Sequence, residues 1–135
     1  MILGIGTDIL NAHQLAESSL SPSDPFLRKT YTEREIEEAG SRRDPHSYFA
    51  TRFEGKEAVF KAFGAHPDSI RLCEIEILSD QNGAPAVTLH GMAREMADAM
   101  GAVRVHISLS YDLPFFIAFA VMEGEPDLHR NGDKR

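Results

Sequence analysis

The stretch from Asp44 to Gly64 constrains this chain more than any other. Asp44 can cap a helix with its carboxylate, and Pro45 suits the first helical position, where a missing N–H has no partner to lose. Phe49, Phe53, Val59, Phe60 and Phe63 follow as an apolar stripe, with Arg52, Lys56, Glu57 and Lys61 interleaved. Gly64 closes the pattern. The spacing predicts a helix from Pro45 to Phe63, about 28 Å long. It is aromatic enough to be the central packing element.

The rest of the chain reads mostly as short strands. Residues 2–10, 71–79, 86–90, 103–110 and 115–123 are apolar or alternating, and Asp80-Gln-Asn-Gly83 and Tyr111-Asp-Leu-Pro114 are turns between them. Short turns imply antiparallel pairing. Thr32-Glu-Arg-Glu35 fits a capping box that opens a helix to about Ala39, ended by Gly40. Residues 11–19 are read as a short helix and Ser21 to Pro25 as a loop. Residues 91–100 form another helix, with Met92, Met96, Ala97 and Met100 on one side and Gly101 at its end. The expected architecture is α+β: a single domain, residues 1–123, with one antiparallel sheet packed against one long central helix. Residues 124–135 are a polar, mobile tail.

At 135 residues the chain is large enough to bury a core without staples. A single cysteine, Cys73, allows no internal disulfide and points to a reducing compartment. The opening residues lack the positive region of a signal peptide, and no apolar run approaches the ~20 residues of a membrane span. The reading is a cytoplasmic protein with no membrane partner. The net charge of −7 argues against nucleic acid. Charge is uneven, however: between Arg28 and Lys61 there are eight basic and seven acidic residues, so an anionic ligand or acidic partner should dock in this segment.

Three motifs lead nowhere. Gly4-Ile-Gly6 is followed by Ile9 where a dinucleotide fingerprint needs its third glycine, so it reads as backbone adapted to a close approach. The six histidines have no pair at metal-binding helical spacing. Ser108-Leu-Ser110 lacks the glycines of a nucleophile elbow.

What remains is Asp8 in an apolar strand and Glu57 in an apolar helix. A carboxylate in such a setting costs several kcal/mol to bury unless partnered (about 2–7 for a polar group, more for a charge). Two from distant segments can share a divalent cation, and magnesium takes one or two carboxylates plus substrate phosphates. Lys56 and Lys61 can neutralise phosphate oxygens. The plainer alternative is a Glu57–Lys61 ion pair on the helix surface, with Asp8 capping a turn.

Three blocks resemble the short holo-acyl-carrier-protein synthases of the phosphopantetheinyl transferase superfamily. They are Ile2-Leu-Gly-Ile-Gly-Thr-Asp-Ile9, Arg52-Phe-Glu-Gly-Lys-Glu-Ala58 followed by Lys61-Ala-Phe-Gly64, and Val105-His-Ile-Ser-Leu-Ser110. Asp80 to Pro85 and Leu89-His-Gly91 sit at family-like spacing. The resemblance implies transfer of phosphopantetheine from coenzyme A to a serine of an apo acyl carrier protein, as in fatty-acid or polyketide synthesis. It implies Mg2+ on Asp8 and Glu57, Lys61 against the phosphates, Arg52, Gly64 and His106 along the coenzyme A site, and a homotrimer with sites between subunits. The alternative is a homologue that binds coenzyme A or carrier without turnover. The sequence departs from the family at Ala65-His66, where Thr-Gly is usual, at Gln14 and Asn11, where a base and an acid are common, and at Tyr111, often His. With Gln14 uncharged, Arg28, Lys29 and Arg34 become the candidates for meeting an acidic carrier.

Overall fold

The structure, a computed structural model, describes residues 1–14, 24–64 and 69–126. Strand β1 (Ile2–Asn11) runs into a 3-10 turn at Ala12–Gln14. Helices α1 (Pro25–Thr30), α2 (Glu33–Gly40) and α3 (Pro45–Ala62) follow. A 3-10 turn at Leu72–Glu74 leads into β2 (Ile75–Ser79) and β3 (Pro85–Leu89). Helix α4 (Gly91–Met100), β4 (Ala102–Asp112) and β5 (Phe115–Gly124) complete the order.

The caps expected from sequence are present. The Asp44 side chain accepts from the Ser47 amide with Pro45 at the first helical position, and Thr32 and Glu35 form the full capping box. Gly101 ends α4 with φ 80°, a left-handed conformation that suits glycine. Three readings change. The strand expected over residues 71–79 starts only at Ile75, because Leu72–Glu74 form a 3-10 turn in which the Ile75 amide bonds back to the Leu72 carbonyl. The loop ending at Pro25 gives way to α1: Asp24 accepts from the Phe26 amide and Pro25 starts the helix. The helix expected over residues 11–19 is a 3-10 turn to Gln14, and residues 15–19 lie outside the described residues, as do Ser21–Ser23 and the tail beyond Pro126.

The antiparallel α+β class is as expected, but the sheet is in two pieces. β1, β5 and β4 form one, in that order, and β2 and β3 form the other. Asp8 pairs with Ala118, which pairs in turn with Leu109. Helix α3 lies on one face of the larger sheet and β2 packs against it as well. On β5, Phe116, Ala118, Ala120 and Met122 face the helix and are buried; Phe115, Ile117 and Phe119 face away and are exposed.

Small residues set how close the sheet comes. A Cβ placed at Gly6 would stand 1.8 Å from the Ala58 carbonyl oxygen, and one at Gly4 would meet Ala62 in the same way. The Gly4-Ile-Gly6 element is therefore a strand-to-helix contact through bare backbone.

The single apolar stripe expected on α3 is a simplification. Tyr48, Phe49, Ala50, Arg52, Glu54, Gly55, Lys56, Ala58, Val59 and Ala62 are all buried, covering most of its circumference. Lys56 is fully buried. Its Nζ donates to Glu35 Oε1 (2.7 Å), the Ile75 carbonyl (2.6 Å) and the Leu72 carbonyl (3.0 Å). Glu35 also accepts from the Ile77 and Thr32 amides. A buried pair this well satisfied ties α2, α3 and β2 together, and it removes Lys56 from any contact with phosphate.

Candidate active site

The approach of β1 to α3 is what builds the site. Asp8 is in phase with Gly4 and Gly6 along β1, so its side chain turns toward the helix. On α3, Glu54, Glu57 and Lys61 are spaced three and four residues apart and share one face. Lys61 Nζ donates to Asp8 Oδ1 at 2.7 Å and to the Thr7 carbonyl at 3.1 Å. That hydrogen bond and the charge of Asp8 raise the Lys61 pKa, so the side chain stays an ammonium. Glu57 is half-buried, and burial followed by the repulsion of Asp8 pushes its carboxyl upward. The plain alternative, Asp8 as an unrelated turn cap, does not hold: the strand acid and the helix residues meet.

A fourth member was not singled out from sequence. Glu54 is 1% exposed, and neither carboxylate oxygen accepts a hydrogen bond from any donor among the described residues. Burial, then a hydrogen bond to Asp8 and its charge, raise the Glu54 pKa to about 8. The hydrogen bond needs the proton that Glu54 then carries, which is why two bare carboxylates leave it without a donor. The signal was available in its spacing: Glu54 lies three residues before Glu57 and seven before Lys61, so a helix places all three together.

The remaining candidates scatter. Arg52 is buried against the other side of α3, where it donates to Ser79 Oγ at 3.0 Å, lies 3.5 Å from Glu38 and stacks over Tyr48. With Arg42 and Arg43 it lines a cleft of about 390 Å³ that also meets Tyr111 and Leu113. His106 lies on the sheet face away from α3, 2.9 Å from Glu123, so its own chain does not bring it to Asp8. Gly64 follows α3 with φ 85°. The Ala65-His66 departure lies outside the described residues, as does the side chain of Gln14. Arg28 and Arg34 are exposed and stand 3.8 Å from Glu33 and Glu76; Lys29 is exposed beside Arg28.

Comparison with known proteins places the chain in a family. The model of the 4′-phosphopantetheinyl transferase superfamily matches residues 4–106. This chain belongs to that superfamily. Among its relatives is the holo-[acyl-carrier-protein] synthase of Clostridium tetani, 34% identical over 93% of this chain and 98% of that protein. The crystal structure of the synthase from Neisseria meningitidis superposes with a TM-score of 0.81 at 30% identity, covering 91% of this chain and 99% of that one. A Bacillus anthracis synthase solved in complex with CoA (3′,5′-ADP) superposes at 0.74 with 29% identity, over 93% of this chain and 99% of that one. The phosphopantetheinyl transferase described here is thus an enzyme of the holo-acyl-carrier-protein synthase family, whose reaction moves phosphopantetheine from coenzyme A to an apo carrier protein. Among the described residues, no helix of this transferase is long and apolar enough to cross a membrane.

Proposed function

We propose that the chain uses magnesium held by Asp8 and Glu57 to transfer the 4′-phosphopantetheine arm of coenzyme A to a carrier serine, releasing adenosine 3′,5′-bisphosphate. The observation that carries this reading is the meeting of Asp8 with the acidic and basic face of α3, with Asp8 and Lys61 2.7 Å apart. The donor set suits a hard cation: carboxylate oxygens from two elements, with the donor-free oxygens of Glu54 beside them. When bound, magnesium supplies charge that offsets the pyrophosphate and makes the β-phosphorus more electrophilic.

The protein's own groups do the rest by position and charge. Lys61 is half exposed and charged, so it can turn from Asp8 to a pyrophosphate oxygen. There it stabilises the negative charge that grows as the bridging P–O bond breaks and the serine Oγ–P bond forms. Its raised pKa favours this role over that of a base, so the serine proton passes to solvent water as the Oγ–P bond forms. The three arginines around the cleft beside α3 suit an anionic nucleotide end.

A homotrimer with shared sites completes the reading. Ile5, Ile9, Ile117 and Phe119 leave an apolar sheet face exposed, which a second copy of the chain would cover. His106 stands on that face, turned from its own Asp8, and reaches coenzyme A only if the partner subunit's site lies against it. Residues 1–123 form the catalytic domain, and the single Cys73 fits a reducing cytoplasm.

The test is carrier modification followed by mass, with coenzyme A, several apo carriers, and either magnesium or excess chelator. Holo-carrier should form only with the metal. Asp8→Ala and Glu57→Ala should each lower the rate at least about 100-fold with circular dichroism unchanged. Unmodified carrier in every arm would reject the transfer, and full activity in chelator would reject the metal.

A further inference from the structure

The buried carboxyl of Glu54 has one polar partner among the described residues, Asp8, which itself belongs to the site. A fully desolvated acid is normally matched by a donor or a cation, as Glu35 is by Lys56 and two amides. Glu54 is equally buried, yet among the described residues neither oxygen accepts from a donor, its one hydrogen bond is the one its own proton makes to Asp8, and its charged neighbours are Asp8, Glu57 and Lys61. A residue that weakens the fold and faces the reacting cluster is held there for what that cluster does.

We propose that Glu54 is a third carboxylate ligand of the cation, making a site with Asp8 and Glu57 that is complete before coenzyme A arrives. The inference rests on the magnesium reading above and goes beyond it, because two carboxylates leave most of the coordination to phosphate and water. Three supply enough negative charge to hold a divalent ion without the nucleotide, since ligand charge count tunes affinity for hard cations.

The ion-free arrangement is consistent with this. Among the described residues no three ligands stand ready-made around a common point, and the Lys61 ammonium occupies Asp8 Oδ1. Asp8 and Glu57 are only partly buried, so rotation of their side chains closes the set on Glu54, which the core of the helix packing holds in place. The cation takes over the charge compensation that Lys61 gives Asp8, and Lys61 is released toward the phosphates. Cation binding thereby loads Lys61 for its role.

The experiment measures Mn2+ binding to the full chain without coenzyme A, from loss of the free-ion electron paramagnetic resonance signal. Wild type, Glu54→Gln, Glu54→Ala and Asp8→Asn are compared, with Tm in chelator as the control for folding. Wild type should bind. Glu54→Gln and Glu54→Ala should weaken binding at least about tenfold, while the Tm of Glu54→Gln in chelator equals or exceeds that of wild type, because the amide keeps a donor for Asp8 without the cost of a buried carboxylate; Glu54→Ala is read for binding only, since truncation of a buried side chain leaves a cavity. Asp8→Asn should weaken binding as well. Wild-type affinity in the Glu54 variants, a lower Tm in chelator for Glu54→Gln, or no Mn2+ binding by wild type would each overturn the inference. If Asp8→Asn alone weakens binding, the two-carboxylate reading survives and Glu54 is excluded. If no variant changes it, both fall.

Discussion

Replacing Gly6 by alanine tests the link between the strand-to-helix contact and the site. The added Cβ would stand 1.8 Å from the Ala58 carbonyl oxygen and 2.8 Å from the Ala62 amide nitrogen. Both are helix backbone atoms, so neither can rotate aside as a side chain would. Carbon contacts normally begin near 3.5 Å, so β1 and α3 must part by roughly 1.5 Å. Overpacking of this kind costs typically 1–3 kcal/mol, and a backbone clash belongs at the upper end. For a domain of this size about 3 kcal/mol corresponds to a fall in Tm of roughly 10 °C. The effect on catalysis should be comparable in free energy, about 2.7 kcal/mol for 100-fold. Asp8 is two residues from Gly6 and Glu57 adjoins Ala58, so the shift separates the two carboxylates, and a misplacement of about 1 Å can cost on the order of 100-fold. Calorimetry and carrier modification followed by mass measure the two effects. Gly40→Ala is the control, since a Cβ there meets nothing within 4 Å. A Gly6→Ala protein with unchanged Tm and unchanged kcat/KM would refute the claim that bare backbone sets the spacing of the site.

Three further outcomes follow from the same structure. Lys56→Met should destabilise by about 3–5 kcal/mol in urea unfolding, because it strands the Glu35 carboxylate in the core, and combining it with Glu35→Gln should recover part of the loss; additive losses would refute the pairing. Glu54, with its carboxyl raised to about 8, binds more protons folded than unfolded between roughly pH 5 and 8, so in chelator the wild type should lose stability as pH rises through that window. Glu54→Gln should flatten that part of the profile in thermal scans, whereas an identical slope in both proteins would remove the cause. Arg28→Glu with Lys29→Glu should raise the KM for an acidic carrier, leave that for coenzyme A unchanged, and reduce the salt dependence of the carrier KM; equal salt response in both proteins would move the docking surface elsewhere.

Local chemistry determined much of this protein without reference to the fold. Caps at Asp44, Thr32 and Gly101 depend on side chains within a few residues, so the helix ends were legible, as were the strands around their turns. Asp8, Glu57 and Lys61 stood out because charge is costly inside apolar patterns. Gly4 and Gly6 signalled a close approach for the same kind of reason, since a strand gives up packing wherever it lacks a side chain. Contacts between distant segments were decided only by tertiary structure. Nothing near Lys56 in sequence says that Glu35 and the carbonyls of Leu72 and Ile75 converge on its ammonium, so it read as a lysine beside Glu57 able to neutralise phosphate. The strand pattern could not show that β2 and β3 leave the main sheet, because pairing partners are chosen by long-range packing. Glu54 is the sharpest case. Its helical spacing placed it beside Glu57, but its burial without a donor depends on how closely β1 is drawn against α3, and that distance exists only in the folded chain.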